Sequence, residues 1–330
     1  MLHKLNNVKN RFLPIPESVA KDLENEPKIT DFEILKELGS NSCGSIYLIR
    51  HKVTKAEYVI KAIDKRNKSN KEEDPFFRKG GEIIFKIHHP NIVQLYGHFE
   101  DNDYCYFIME YCTKGNLYNL IPTDKKKRLN TKVCASIIKD IIIAIYYLHN
   151  MNPPIIHRYI KPENVLLADD LVAKLTDCFN NYIQLEGKNA VRKAILFEPS
   201  KKNYLAPEKI FHQEKGEAVD IWEIGVLLFE LVTATLPFQG DDNATLEENI
   251  KNLYIKWPKD INTDAKDLIM RILQKDPKQR LPLKEMIEHP FISKYFPDAT
   301  KYLIKPEQNK QYKPYIVCKD DPKVWKPEKI

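Results

Sequence analysis

The stretch His157-Arg158-Tyr159-Ile160-Lys161-Pro162-Glu163-Asn164 is a polar, proline-containing segment near the middle of the chain, and it decides the fold. Two apolar runs follow it, at 165–167 and 173–175, and each is long enough for a short strand. Asp177 comes soon after the second run, thirteen residues beyond Asn164. The pattern predicts a loop followed by a pair of short strands.

The chain before this stretch is rich in strands. Apolar runs with β-branched and aromatic residues alternate with turns, and residues 39–44 form the tip of a hairpin. A short helical segment that ends near His88 interrupts the series. We therefore predict five strands before any long helix, at 32–35, 45–49, 57–63, 92–99 and 104–111.

The chain after residue 113 changes to a helical period. Amphipathic helices are predicted at about 131–149, 217–234, 263–274 and 282–288. The expected fold class is α+β and bilobal, with a small five-stranded β lobe that includes one helix and a larger, mainly helical lobe. The predicted boundaries are an N-terminal extension at 1–30, the small lobe at 31–110, the large lobe at 113–296 and a Lys-, Pro- and Tyr-rich tail at 297–330.

The composition is that of an ordinary globular protein. The 330 residues are 43% hydrophobic and 30% charged, and the net charge of +6 is spread along the chain, so no nucleic-acid role is expected. The six cysteines form no C-x-x-C pair, which favours a reducing compartment. No membrane span or secretion signal is expected, and the predicted location is intracellular, either cytoplasmic or nuclear.

Several motifs occur in a fixed order across residues 31–296, and together they resemble a eukaryotic protein-kinase domain. The stretches 95–99, 276–280 and 289–292 most resemble Aurora-type serine/threonine kinases. The matching marks are the glycine hairpin at 39–44, Lys61 on the third strand, His-Pro-Asn-Ile-Val at 89–93, the loop at 157–164, Asp177, Ala-Pro-Glu at 206–208, Asp-Ile-Trp at 220–222 and Arg280.

The resemblance implies a nucleotide site that uses ATP and Mg²⁺. In such a site Lys61 pairs with the α- and β-phosphates, and Asn164 and Asp177 supply oxygen ligands to magnesium. The other residues that the resemblance assigns to the nucleotide are Gly39, Gly44, Ile46, Val59, Met109, Glu110, Cys112 and Leu166.

The resemblance also implies structural roles in the large lobe. Glu208 and Arg280 correspond to a buried ion pair of the family, and Asp220 corresponds to the residue that holds the catalytic-loop backbone. Tyr204, like Ser200, is expected to be a solvated loop residue.

Tyr159 is the most consequential departure from the family pattern. It stands at the position of the catalytic base, next to Lys161 of the same loop. A phenol with an ordinary pKa of about 10 stays protonated near pH 7, so it offers a donor where an anion is needed. Tyr159 is therefore expected to be inactive as a base.

Further departures fall on the same machinery. Gly80 occupies the position of the glutamate that would clamp Lys61, and Glu82 is two residues away. The metal-binding tripeptide is Asp177-Cys178-Phe179, where the family has Asp-Phe-Gly. The other departures are Asn41 in the phosphate loop, Val59 above the adenine and Lys201 three residues before Tyr204.

Two functional hypotheses follow. The first is a pseudokinase that binds or allosterically regulates a protein partner or partner kinase and binds ATP weakly. The alternative is a weakly active serine/threonine kinase that transfers the ATP γ-phosphate with an atypical base, such as Glu163 or Glu82. Phosphotransfer is expected to be absent or very weak in this chain.

Overall fold

A computed structural model describes residues 28–41, 44–64, 81–101, 103–123, 127–178, 202–210 and 216–306. These residues form two compact units. The described residues up to Tyr111 belong to the first unit, and those from Cys112 onward belong to the second.

The first unit is an antiparallel five-stranded sheet, as the sequence predicts. Its strands lie in the order β1-β2-β3-β5-β4. Their bounds are Phe32–Asn41 for β1, Gly44–His51 for β2, Glu57–Asp64 for β3, Leu95–Glu100 for β4 and Tyr104–Met109 for β5. β1 is longer than predicted, and β4 begins three residues later than the predicted start at residue 92.

The two faces of the sheet differ in character because side chains alternate along each strand. One face packs into an apolar cluster, to which β3 contributes Tyr58, Ile60 and Ala62. Val59 and Lys61 of the same strand therefore lie on the opposite face. The cluster is completed by Ile29, Phe32, Ile49, Phe99, Tyr106 and Ile108.

The connection between β3 and β4 is helical near its end. A 3₁₀ segment covers Gly81–Lys86, which confirms a short helical segment before His88. Ile83, Ile84 and Phe85 of this segment are buried, and the segment packs against β4. Gly80 and the Glu82 side chain lie outside the described residues, so the predicted loss of the lysine clamp stays a prediction.

The second unit is mainly helical and carries one small sheet. Its helices are α1 at Thr131–His149, α2 at Pro207–Ile210, α3 at Ala218–Thr233, α4 at Asn243–Asn252, α5 at Thr263–Ile272, α6 at Leu283–Glu288 and α7 at Pro290–Ser293. Strands β6, at Val165–Leu167, and β7, at Ala173–Leu175, pair in an antiparallel hairpin. The predicted strand pair and all four predicted long helices are confirmed.

The core of this unit forms around α1 and α3. Both helices are apolar on nearly every side, and they pack against each other, with α1 also against β7 and α3 against α5. Asn130 caps α1 by accepting a hydrogen bond from the Lys132 N–H at 2.9 Å. Because α3 is buried on nearly every side, its few polar residues, such as Asp220, are held in fixed positions.

Helices α2, α4 and α7 of the second unit were not predicted. Helix α4 buries only Leu246 and Ile250, so its apolar stripe is weak in the sequence, and Asp242 caps it through the Thr245 N–H at 2.7 Å. A 3₁₀ turn, also not predicted, covers Ala299–Tyr302 at the start of the predicted tail, and Ala299 is buried. No helix among the described residues is long and apolar enough to cross a membrane.

Candidate functional site

The loop at 157–164 is anchored from below by Asp220 on α3. One carboxylate oxygen of Asp220 accepts a hydrogen bond from the His157 N–H at 2.9 Å, and the other accepts from the Arg158 N–H at 2.6 Å. His149 of α1 contacts the same carboxylate at 2.7 Å. Burial opposes the charge of Asp220, but the hydrogen bonds from His149 and from the Arg158 N–H lower its pKa below the ordinary value. Asp220 therefore holds the loop backbone as an anion, as the resemblance predicted.

His157 connects this loop to the end of β7. Its Nε2 donates to the Thr176 carbonyl at 2.9 Å, and its Nδ1 accepts from the Tyr159 N–H at 3.3 Å. Burial lowers the pKa of His157, so the imidazole is neutral at pH 7. The lowered pKa indicates a neutral ring, and the two hydrogen bonds assign its proton to Nε2.

The β6–β7 hairpin brings Asn164 and Asp177 to the same end. Val165 pairs with Leu175, and the Thr176 N–H donates to the Asn164 carbonyl at 3.0 Å. The Asn164 side-chain amide donates to the Tyr159 carbonyl at 2.8 Å, which leaves its oxygen as the end that suits a cation.

These two residues fit magnesium by their chemistry, because carboxylate and amide oxygens are hard ligands and Mg²⁺ takes few of them from protein. Asn164 and Asp177 would hold the ion together with phosphate oxygens of the nucleotide. Within the described ranges, no cluster of three or more His, Cys, Asp or Glu residues could hold a metal without such help.

Tyr159, at the predicted position of the base, is partly buried and has a cation beside it. The Lys209 ammonium lies 5.5 Å from the centroid of the Tyr159 ring. Glu163, the carboxylate predicted as an atypical base, pairs with Lys161 at 3.7 Å, and its side chain is 40% exposed. The other predicted substitute, Glu82, has a side chain outside the described residues.

The first unit places most of its predicted nucleotide residues on one face of the sheet. Ile46 pairs with Lys61, and Val59 pairs with Met109. Cross-strand partners share a face, so these four side chains lie together, opposite the apolar cluster. Lys61 is fully buried on this face. Gly39, on β1, is the register partner of Ile46.

Gly44 is required by its surroundings. Its φ of +148° is rare for residues with a side chain, and a Cβ there would come within 2.0 Å of the Ala62 carbonyl oxygen. The backbones of β2 and β3 are therefore in close contact at the start of the hairpin strand. Asn41 lies at the end of β1, but its side chain is outside the described residues.

The remaining predicted nucleotide residues either follow β5 or lie within β6. Glu110, in the first unit, follows β5 and accepts from the Gln94 N–H at 3.1 Å. Cys112 and Leu166 belong to the second unit, where Cys112 is buried and Leu166 forms a bridge with Asn116.

Cys178 is buried beside Asp177, where the family has an aromatic residue. Burial raises the pKa of its thiol, and the Asp177 charge raises it further, so the group is a neutral thiol. It fills an apolar position without the ring. Phe179 and Lys201 lie outside the described residues, and their predicted effects stay predictions.

The predicted ion pair of the large lobe is confirmed. Arg280 makes two hydrogen bonds to the carboxylate of Glu208, at 2.6 and 2.7 Å. The expectation for Tyr204 is wrong, because this side chain is buried and its hydroxyl donates to Glu230 of α3. The sequence signal that could have indicated such a buried partner was Glu230, a glutamate within an otherwise apolar stretch of α3.

One further ion pair was not predicted from the sequence. Lys209 and Glu223 form an ion pair at 2.9 Å beneath Tyr159. Lys209 follows Glu208, and Glu223 lies three residues after Asp220. Because both of these neighbours were predicted to be structural residues of the large lobe, the sequence contained a signal that Lys209 and Glu223 are buried too.

Comparison with known proteins agrees with this geometry. The family model described as the protein kinase domain matches residues 32–292. An Aurora kinase of Eremothecium gossypii is 34% identical over 270 residues, which cover 82% of this chain and 71% of the relative. An Aurora kinase of Saccharomyces cerevisiae is 35% identical, with 86% and 72% covered. Aurora kinase A-A of Xenopus laevis is 32% identical, with 81% and 63% covered. The chain therefore belongs to the protein kinase family, with Aurora kinases among its relatives.

Proposed function

We propose that this chain is a serine/threonine protein kinase that binds ATP and Mg²⁺ and transfers the γ-phosphate slowly. One observation carries the proposal. The loop around Tyr159 is held by Asp220, and Asn164 and Asp177, the proposed magnesium ligands, lie at one end of the β6–β7 hairpin. This arrangement supports a site that positions a phosphate. Phosphoryl transfer depends mostly on such positioning and on electrostatics.

The rate is reduced because Tyr159 cannot accept a proton. Loss of a general base costs about 10²- to 10⁴-fold. Glu163 is the candidate for a substitute base among the described residues of the loop, since its exposed carboxylate stays within reach of Lys161. ATP supplies the phosphate, and Lys61 and the metal ligands would orient it.

The second candidate is a binding or regulatory module without phosphotransfer, which acts on a protein partner and binds nucleotide weakly. The placement of the Lys209 ammonium beside the Tyr159 ring favours it, because this position then presents a phenol and a cation where the reaction uses an anion. The departures in the sequence pointed to this function first. Similarity to proteins named as kinases supports the first candidate better.

A phosphotransfer assay separates the two candidates. The purified chain is incubated with ATP labelled at the γ-phosphate, with magnesium or manganese, and with a serine peptide. We expect incorporation that disappears in both Lys61→Ala and Asp177→Ala, because each variant loses a group that holds the nucleotide. We also expect Tyr159→Asp to raise the rate by about 10²-fold or more, because it restores an anionic base.

If incorporation never exceeds that of Asp177→Ala, even in Tyr159→Asp, the kinase proposal is wrong. Thermal melting then decides about the nucleotide. MgATP at a hundred times its dissociation constant should add about 2.7 kcal/mol of stability, and a shift lost in Lys61→Ala would leave a nucleotide-binding module.

A further inference from the structure

The two peptide groups that flank Tyr159 are bonded to the same ion pair. Lys209 Nζ donates to the Arg158 carbonyl at 2.8 Å and pairs with Glu223 Oε1 at 2.9 Å. The other oxygen of Glu223 accepts from the Ile160 N–H at 2.8 Å. The pair thus contacts the backbone immediately before and immediately after Tyr159.

The same lysine also contacts the side chain between these two peptide groups. Its ammonium lies 5.5 Å from the centroid of the Tyr159 ring, within the range of a cation–π contact. Backbone and ring of Tyr159 are therefore both engaged by Lys209.

Both charges are withdrawn from water. The side chains of Lys209 and Glu223 are 12% and 2% exposed. Burial raises the pKa of Glu223 to about 7, while the lysine charge opposes that change. A buried ion pair contributes little net stability, and removal of one partner leaves the other charge without compensation. Such a pair is more readily explained by the geometry that it imposes than by the stability that it adds.

Neighbouring residues place the pair. Lys209 follows Glu208, whose carboxylate is held by Arg280, and Glu223 lies three residues after Asp220 on α3. Residues three apart on a helix share a face, so Asp220 and Glu223 both reach the loop from α3. Asp220 holds the N–H groups of 157 and 158, whereas the pair holds the carbonyl of 158 and the N–H of 160.

We propose that Lys209 and Glu223 are positioning residues that clamp the segment 158–160 and fix the ring of Tyr159 at the base position. The clamp extends to the metal site, because the Tyr159 carbonyl accepts from the Asn164 amide. The inference concerns the same site as the proposed function, but it applies whether or not the chain transfers phosphate.

Fluorine NMR of the full chain labelled with 3-fluorotyrosine tests the clamp directly. The resonance of residue 159 is assigned as the one missing from Tyr159→Phe. In Lys209→Met/Glu223→Gln the glutamine still accepts from the Ile160 N–H, but both charges and the bond to the Arg158 carbonyl are lost. We expect the Tyr159 resonance to move by more than its linewidth.

The matched control is Lys202→Met, which removes a lysine paired with Glu247 at 3.6 Å on the same stretch of chain. It should leave the resonance in place. A second variant, Lys209→Gln, replaces the cation by a neutral donor on a shorter side chain, so the resonance should move there too. Lys209→Arg should retain a position close to that of the wild type.

Circular dichroism identifies the variants that keep the fold, and only those are compared. If the double variant and Lys209→Gln are folded and move the resonance no more than Lys202→Met does, the clamp is wrong. If the double variant does not fold, Lys209→Gln decides alone. Absence of phosphotransfer would contradict the proposed function and would leave this readout unchanged.

Discussion

The imidazole of His157 is bonded at both nitrogens in a way that only the neutral ring satisfies. Nε2 donates to the Thr176 carbonyl, while Nδ1 accepts from the Tyr159 N–H. A proton on Nδ1 would face that N–H group. Burial adds to this effect and lowers the pKa of His157 below its ordinary value of about 6.5.

The lowered pKa predicts a loss of stability in mild acid. Below pH 6.5 the unfolded chain takes up a proton at residue 157 that the folded chain refuses until its lower pKa is reached. The contribution of His157 is therefore complete above pH 6.5 and is lost as the pH falls, by up to about 1.4 kcal/mol per pH unit. Urea unfolding between pH 7.5 and 5.5 measures it.

His157→Gln provides the comparison, because its amide can still donate to Thr176 and does not titrate. Glu223 has a raised pKa and changes stability in the opposite direction between about pH 4.5 and 7, but it does so in both proteins. The free energy of unfolding of the wild type, relative to that of His157→Gln, should decrease as the pH is lowered. Parallel pH profiles would show that His157 takes up its proton in the folded state as easily as in the unfolded one.

At the scale of elements, the hairpin of β1 and β2 depends on one glycine more than on the other. Gly44 has φ +148° and lies against the Ala62 carbonyl, whereas a Cβ on Gly39 would meet nothing within 4 Å. The family motif contains both glycines, yet only Gly44 is required by the packing of the strands.

Gly44→Ala should destabilise the first unit. Backbone strain at a positive φ costs about 1–3 kcal/mol, and the contact with Ala62 adds to it because strand β3 would have to move. The free energy of unfolding measured in denaturant should decrease, and so should the thermal shift caused by MgATP.

Gly39→Ala is the control and should change the free energy of unfolding by less than about 0.5 kcal/mol. Equal losses in the two variants would mean that the close approach at Gly44 is not what requires glycine.

At the scale of the whole molecule, one arginine connects several segments of the second unit. Arg280 donates twice to the carboxylate of Glu208 on α2, and it also donates to the carbonyls of Ala218 and Gln274. Its side chain is fully buried. Its guanidinium lies 5.1 Å from the ring centroid of Trp222 on α3. Segments far apart in sequence are thus held at one planar, five-donor group.

Arg280→Met should lower the free energy of unfolding of the second unit by about 3–5 kcal/mol, because the Glu208 carboxylate stays largely buried without its partner. Lys301→Ala removes an exposed pair with Asp298 and should cost no more than about 1 kcal/mol. Calorimetry of both variants checks the difference. Comparable costs would show that burial does not make the Arg280 pair special.

The sequence by itself determined the family, the α+β class, the five strands and the long helices. These follow from local periodicity and from motifs whose spacing is read directly, such as Asn164 and Asp177 around a short hairpin. Local signals were weakest where an element has little apolar surface, which is why α4 and the turn at 299–302 were missed.

Only the tertiary structure decided what surrounds Tyr159. Lys209 and Glu223 are about fifty and sixty residues from Tyr159 along the chain, and no local pattern relates them. Their pairing depends on how the folded chain brings α2 and α3 together at the loop. A charge buried there without a partner would be strongly destabilising, so the two residues need each other. The same packing buries Tyr204 against Glu230, which the sequence had placed in solvent.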